Sequence, residues 1–164
     1  MKNSILVIML VFTFDAFAQG KFASPGLKSM IGKTYKDEKE ISAVAGYLSH
    51  GGALLSASGD QWPLSVGWFS KDNSILVLFE QFLPDQTVSI IDVLEINNTT
   101  DNQEIKVGEC RDGDNDDMEI VALVLRSKAK RVRAIQAWRF DRDKKRIEPL
   151  STESVTCLGM VGED

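Results

Sequence analysis

Cys110 and Cys157 are the only two cysteines in the chain, and no other feature limits its possible folds as tightly. The chain opens as an exported protein does. Lys2 supplies a positive start, Ile5 to Phe14 a short apolar run, and Ala16-Phe17-Ala18 the small-x-small pattern read by signal peptidase. In an oxidising compartment two such cysteines are expected as one structural disulfide. In the chain-entropy model, closing a loop of roughly fifty residues contributes about 4 kcal/mol. Neither cysteine has a second cysteine or a histidine at metal-ligand spacing, so zinc is not expected. Residues 1–18 read as a cleaved signal and residues 19–164 as a single domain, periplasmic or secreted. The apolar run is too short to span a bilayer, so no membrane partner is expected after cleavage.

Strand signals dominate the rest. Leu64 to Phe69, Ser74 to Leu83 and Thr87 to Ile96 are rich in β-branched and aromatic residues, with turns at Lys71-Asp72-Asn73 and Pro84-Asp85. Asn97 to Asn102 is a polar loop, and Glu104 to Glu109 a further strand. Ile120 to Leu125 is an unbroken apolar run, expected as a central strand or one buried on both faces. Val132 to Phe140, Arg146 to Leu150 and Ser154 to Leu158 follow. Nearer the start, Ile41, Val44, Ala45 and Leu48 fall close to helical spacing behind Asp37, Glu38 and Glu40, and Gly51-Gly52 would end a helix there. The expected fold is α+β: a mostly antiparallel sheet of six to eight strands, one N-terminal amphipathic helix and one disulfide.

Directly after Cys110, Asp112, Asp114, Asp116, Asp117 and Glu119 crowd one glycine-containing loop. Such carboxylates repel unless water, a cation or basic side chains neutralise them. Oxygen-rich loops of this kind are what calcium uses, which makes Asp112, Asp114, Asp116 and Glu119 a candidate calcium set. An EF-hand is excluded: counted from Asp112, the sixth residue is Asp117 rather than glycine and the twelfth is Leu123 rather than glutamate. The loop resembles the calcium loops of FG-GAP blades, but it has one residue too many and does not repeat.

The segment from Arg126 to Arg146 holds more than half of the 19 Lys and Arg. On a regular strand Arg131, Arg133 and Arg139 would share one face, with Val132, Ala134, Trp138 and Phe140 on the other. The arginines are either contacts for an anionic partner or the neutralising partners of the acidic loop; in the second case calcium is less needed. The net charge of −5 argues against nucleic acid as a partner.

No catalytic set is visible. His50 is the only histidine, there is no Gly-x-Ser-x-Gly elbow, and both cysteines are expected in the disulfide. Ser58-Gly59-Asp60-Gln61-Trp62 resembles the Ser-Gly-x-x-Tyr loop that some bacterial periplasmic lysozyme inhibitors insert into the enzyme cleft, with Trp62 in place of the tyrosine. Those are also small exported sheet-rich domains, and the resemblance implies that Ser58, Gly59 and Trp62 contact a partner. The expected function is that of a non-enzymatic exported binding protein without a cofactor, its partner another protein. An inhibitor or immunity-type partner of a cell-wall-degrading enzyme is the most concrete form. The alternatives are a calcium-dependent structural or surface module and a hydrolase built on a carboxylate pair.

Overall fold

The computed structural model describes residues 23–55 and 63–160. The expected signal, residues 1–18, lies outside them, as do Ser58, Gly59 and Trp62. The strands in chain order are β1 (Thr34–Tyr35), β2 (Leu48–Leu54), β3 (Leu64–Lys71), β4 (Ser74–Phe82), β5 (Val88–Asn97), β6 (Gln103–Val107), β7 (Cys110–Asp112), β8 (Asn115–Asp117), β9 (Ile120–Leu125), β10 (Arg131–Asp141), β11 (Arg146–Leu150) and β12 (Val155–Leu158). Every pairing is antiparallel. In place of the single expected sheet of six to eight strands there are, among the described residues, two sheets, the first with the order β1-β5-β4-β3-β2. The other runs β6-β9-β10-β12-β7-β8, with β11 also on β10.

Alternation along the strands builds the core between these sheets. Leu64, Val66, Val77, Phe79, Leu94 and Ile96 of the first sheet meet Val121, Leu123, Trp138, Phe140 and Ile147 of the second. The Phe79 and Phe140 rings stack tilted at 5.0 Å between centroids. Asp92 locks the layers together: its Oδ2 accepts the Ile147 N–H at 2.7 Å and its Oδ1 the Val93 N–H at 2.8 Å. The other alternating set of β9, Ile120, Ala122 and Val124, faces away from this core. It is covered by the β7–β12 flap, where Cys110, Val155 and Cys157 complete a second apolar cluster. Ile120 to Leu125 is thus central and two-sided, as its unbroken apolar run predicts. The disulfide joins Cys110 to Cys157, which sit directly opposite each other on β7 and β12.

The expected N-terminal amphipathic helix is not there. The only α-helix among the described residues is one turn, α1 (Pro25–Lys28). Lys36 to Leu48 instead forms two 3-10 turns, Glu38–Glu40 and Ser42–Val44, separated by an extended Ile41. Asp37 caps the first turn by accepting the Lys39 N–H, satisfying one of the donors a helix start leaves open. Gly46 then turns the chain with φ +81°, and Leu48 begins β2 with 65 % of its surface exposed. Only Ile41 and Val44 of the predicted apolar stripe are buried. Two anchors suffice for a 3-10 hook; a helix needs a continuous buried stripe to be held by packing. The hook and α1 cover the outer face of the first sheet, where Ala23, Leu27, Met30, Tyr35, Ile41 and Val44 pack on Phe69, Leu76, Leu78, Val88, Ile90 and Val93.

Candidate functional site

The N-terminal cover stops short of β2, and the residues it leaves open follow from pairing register. On the outer face, Leu54, Ser65 and Glu80 stand side by side across β2, β3 and β4, and Gly52 and Gly67 are opposed one step along, with Leu78 beyond. The missing side chain of Gly67 leaves room over β3, whereas that of Gly52 lets β2 lie close on the Val66 carbonyl, 2.8 Å from where a Cβ would stand. The resulting groove, about 420 Å³, is bounded by Leu54, Phe82 and Val88 and overlooked by Lys36 and Glu38 of the N-terminal segment.

Glu80 forms the inner end of this groove with 5 % of its surface exposed. The Tyr35 hydroxyl donates to its Oε1, and the Ser65 hydroxyl to its Oε2 at 3.3 Å. Removal from water pushes the carboxyl up to about 7; the hydrogen bonds from Tyr35 and Ser65 counter this in part, and the charge of Glu38 adds to it. Tyr35 is also pushed well above the ordinary phenol range, first by burial and then by the Glu80 charge beside it. The carboxyl is therefore neutral on the acid side of neutrality and a buried anion on the alkaline side. A Cβ built on Gly67 would lie 3.5 and 3.7 Å from its two oxygens, so whatever rests on Gly67 touches both.

Along this groove runs β2, the edge strand of its sheet. Its sequence, LSHGGAL, carries no Lys, Arg, Asp, Glu or Pro, and every residue but Ala53 is exposed. Soluble proteins usually blunt such an edge with charge or proline. The blunting device here is a bulge between Ser49 and Gly52, with Gly51 at φ +89°. The bulge turns His50 onto β3, where its Nε2 lies 2.7 Å from the Ser70 Oγ. Just past the end of β2, the Leu55 N–H donates to the Leu64 carbonyl at 2.8 Å, which extends the β2–β3 pairing by one bond.

The acidic loop is a tight β7–β8 hairpin turned by Gly113 at φ +61°. Arg139 donates to Asp117 at 2.8 Å and to Asp112 at 3.3 Å. Asp112 also accepts from Ser154 and, chiefly through that bond, sits below the usual carboxylate range. Arg131 reaches Asp116 at 3.1 Å and Arg142 pairs with Glu119. Acid loop and basic strand thus neutralise each other. Asp114 is exposed near the hairpin tip. No three carboxylate, His or Cys groups among the described residues converge as a metal site would require.

The three arginines do not share one face. A bulge between Ala134 and Gln136 of β10 reverses the alternation, so Val132 and Ala134 pack with the disulfide cluster while Trp138 and Phe140 enter the main core. Arg139 consequently points under the flap, toward Asp112 and Asp117. Arg131 reaches Asp116 on the flap's other face; by strand register Arg133 and Arg111 stand there too. Trp138 is buried and Trp68 half-buried. Sequence reasoning passed over Tyr35, Ser65, Glu80, Gly52 and Gly67. The available signal was Glu80 itself, an acid where the apolar alternation Leu76, Leu78 predicts another core residue. Compared with models of known families, with curated proteins and with solved structures, the chain matches none.

Proposed function

We propose that this chain is an exported, non-enzymatic binding protein that acts by protein–protein contact through its β2–β3 hairpin, most concretely as an inhibitor of a cell-wall-degrading enzyme. The observation that carries the reading is β2: an edge strand that is exposed along its length, free of charge and proline, and continuous with segment 56–62. Past the Ser49–Gly52 bulge, the uncharged Gly52–Leu54 end of this edge suits main-chain pairing with a short extended segment of another protein. Leu54 adds an apolar anchor, 56 % exposed, next to the segment that holds Ser58, Gly59 and Trp62. The disulfide that ties down the flap suits an oxidising compartment, and no helix among the described residues is long and apolar enough to cross a membrane.

The test is capture from exported bacterial proteins, using the chain from Gln19 onward as bait, alongside its Ser58→Ala/Trp62→Ala double variant. The expected result is stoichiometric capture of a cell-wall hydrolase by the wild type and its loss with the double variant. Capture of no protein, or equal capture by both baits, overturns the reading.

A further inference from the structure

The groove beside β2 has a charge and shape that the contact surface alone does not explain. Its floor is Gly52 opposite Gly67, its inner end is the Glu80 carboxyl, and its walls are Leu54 and Phe82. We propose that this slot is a binding site for a primary alkyl-ammonium group, a lysine side chain of the protein partner, with Glu80 as its counter-ion; the source of the lysine rests on the contact reading above.

Three observations point to that chemistry. Opposed residues in an antiparallel pair stand about 5 Å apart, roughly the span of the four methylenes of lysine. A stem laid over Gly52 from the β2 edge therefore brings its ammonium over Gly67, within reach of both Glu80 oxygens, which lie 3.5 and 3.7 Å from the Cβ position of residue 67. Those oxygens each accept one hydrogen bond, from Tyr35 and Ser65, which leaves a free acceptor site on each for the N–H groups of a compact ammonium. The walls that meet the stem are apolar, as snorkelling methylenes require.

Among the described residues, the titratable and charged groups facing the slot are Glu80 from β4, Tyr35 from β1, and Lys36 and Glu38 from the N-terminal segment. An arriving cation favours the ionised form of Glu80, so binding tightens as pH rises through neutrality. Lys36 on the rim carries the same sign as the ligand and sets a specificity limit: a ligand with a second cation close to the stem is repelled.

The experiment is an amide-resolved NMR titration of the whole mature chain with N-acetyl-lysine methylamide, with N-acetyl-norleucine methylamide as the uncharged control. Saturable shifts are expected at Gly52, Ser65 and Gly67 with the lysine probe only, stronger at about pH 8.5 than at about pH 5.5. Glu80→Gln should weaken binding about tenfold or more, as loss of a charge-assisted bond does. Gly67→Ala meets only ordinary contacts in the folded protein, so it blocks the slot without disturbing the sheet and should abolish the shifts. Equal responses to both probes, or lysine binding unchanged in Gly67→Ala, overturn the proposal. Because the probe is a single amino acid, the slot is read without any partner. Lysine binding with no captured protein would remove the contact reading alone, and capture without lysine binding would remove the slot alone.

Discussion

Replacing Glu80 by glutamine separates the cost of a buried charge from the shape of its pocket. Burial sets the carboxyl at about 7 against its ordinary 4.5. Between those two values the folded protein keeps the Glu80 proton while the unfolded chain has released it, so stability must fall as pH rises through that window. Below it both states are protonated and the group costs nothing. Above it both are ionised and the full penalty is present. Each tenfold change in proton affinity is worth about 1.36 kcal/mol, which makes the penalty about 3 kcal/mol. Glutamine keeps the volume and an acceptor for Tyr35 but never ionises. The free energy of unfolding of Glu80→Gln relative to wild type should therefore shift in the variant's favour by about 3 kcal/mol between pH 4 and pH 8.5. Urea unfolding followed by tryptophan fluorescence reads this directly, provided the m-values of the two proteins agree. Groups elsewhere titrate alike in both proteins and drop out of the difference. A difference that stays flat with pH refutes the argument, and one that moves the other way would mean that the folded protein holds Glu80 as an anion.

Further expectations are open to simple measurement. Cys110→Ser/Cys157→Ser, which opens a loop of roughly fifty residues, should lower the unfolding free energy by about 4 kcal/mol, and a reductant should lower the melting temperature of the wild type but not of the variant. Gly52→Ala places a Cβ 2.8 Å from the Val66 carbonyl oxygen and should cost about 1–3 kcal/mol by overpacking; Gly67→Ala meets only ordinary contacts and should be neutral or stabilise by up to about 1 kcal/mol, so equal losses would contradict the slot geometry. Phe140→Ala removes a fully buried ring stacked on Phe79 and should destabilise by about 3–5 kcal/mol in the same assay. Arg139→Ala should cost only about 1 kcal/mol, and less at high salt, because the Arg139–Asp112–Asp117 group is partly exposed.

The eight longer strands from Leu64 onward were legible because each carries β-branched, aromatic or other apolar residues between polar or turn-forming stretches. The Ser74 to Leu83 run, for example, became β4 (Ser74–Phe82). The disulfide followed from the cysteine count and the export-like start of the chain. What escaped notice carries little hydrophobic signal. β2 is exposed and glycine-rich, and β7 and β8 are three-residue strands built largely of acids, so their strand character comes from neighbours that supply pairing. The helix expectation failed because helical spacing over four residues says nothing about whether a second turn finds a surface to bury. The shared arginine face failed at a single bulge in β10, since one inserted residue exchanges the two faces of a strand. Glu80 was overlooked for a related reason: its partners Tyr35 and Ser65 lie 45 and 15 positions away, and only the fold brings them together.

The most direct test of the account is a turbidity assay on suspended bacterial cell walls. A panel of cell-wall hydrolases would be mixed with equimolar mature protein, wild type or Trp62→Ala. Inhibition of at least one hydrolase by the wild type, relieved in Trp62→Ala, is the predicted result. Clearing of the suspension at full speed by every hydrolase, or inhibition that Trp62→Ala leaves intact, would contradict it.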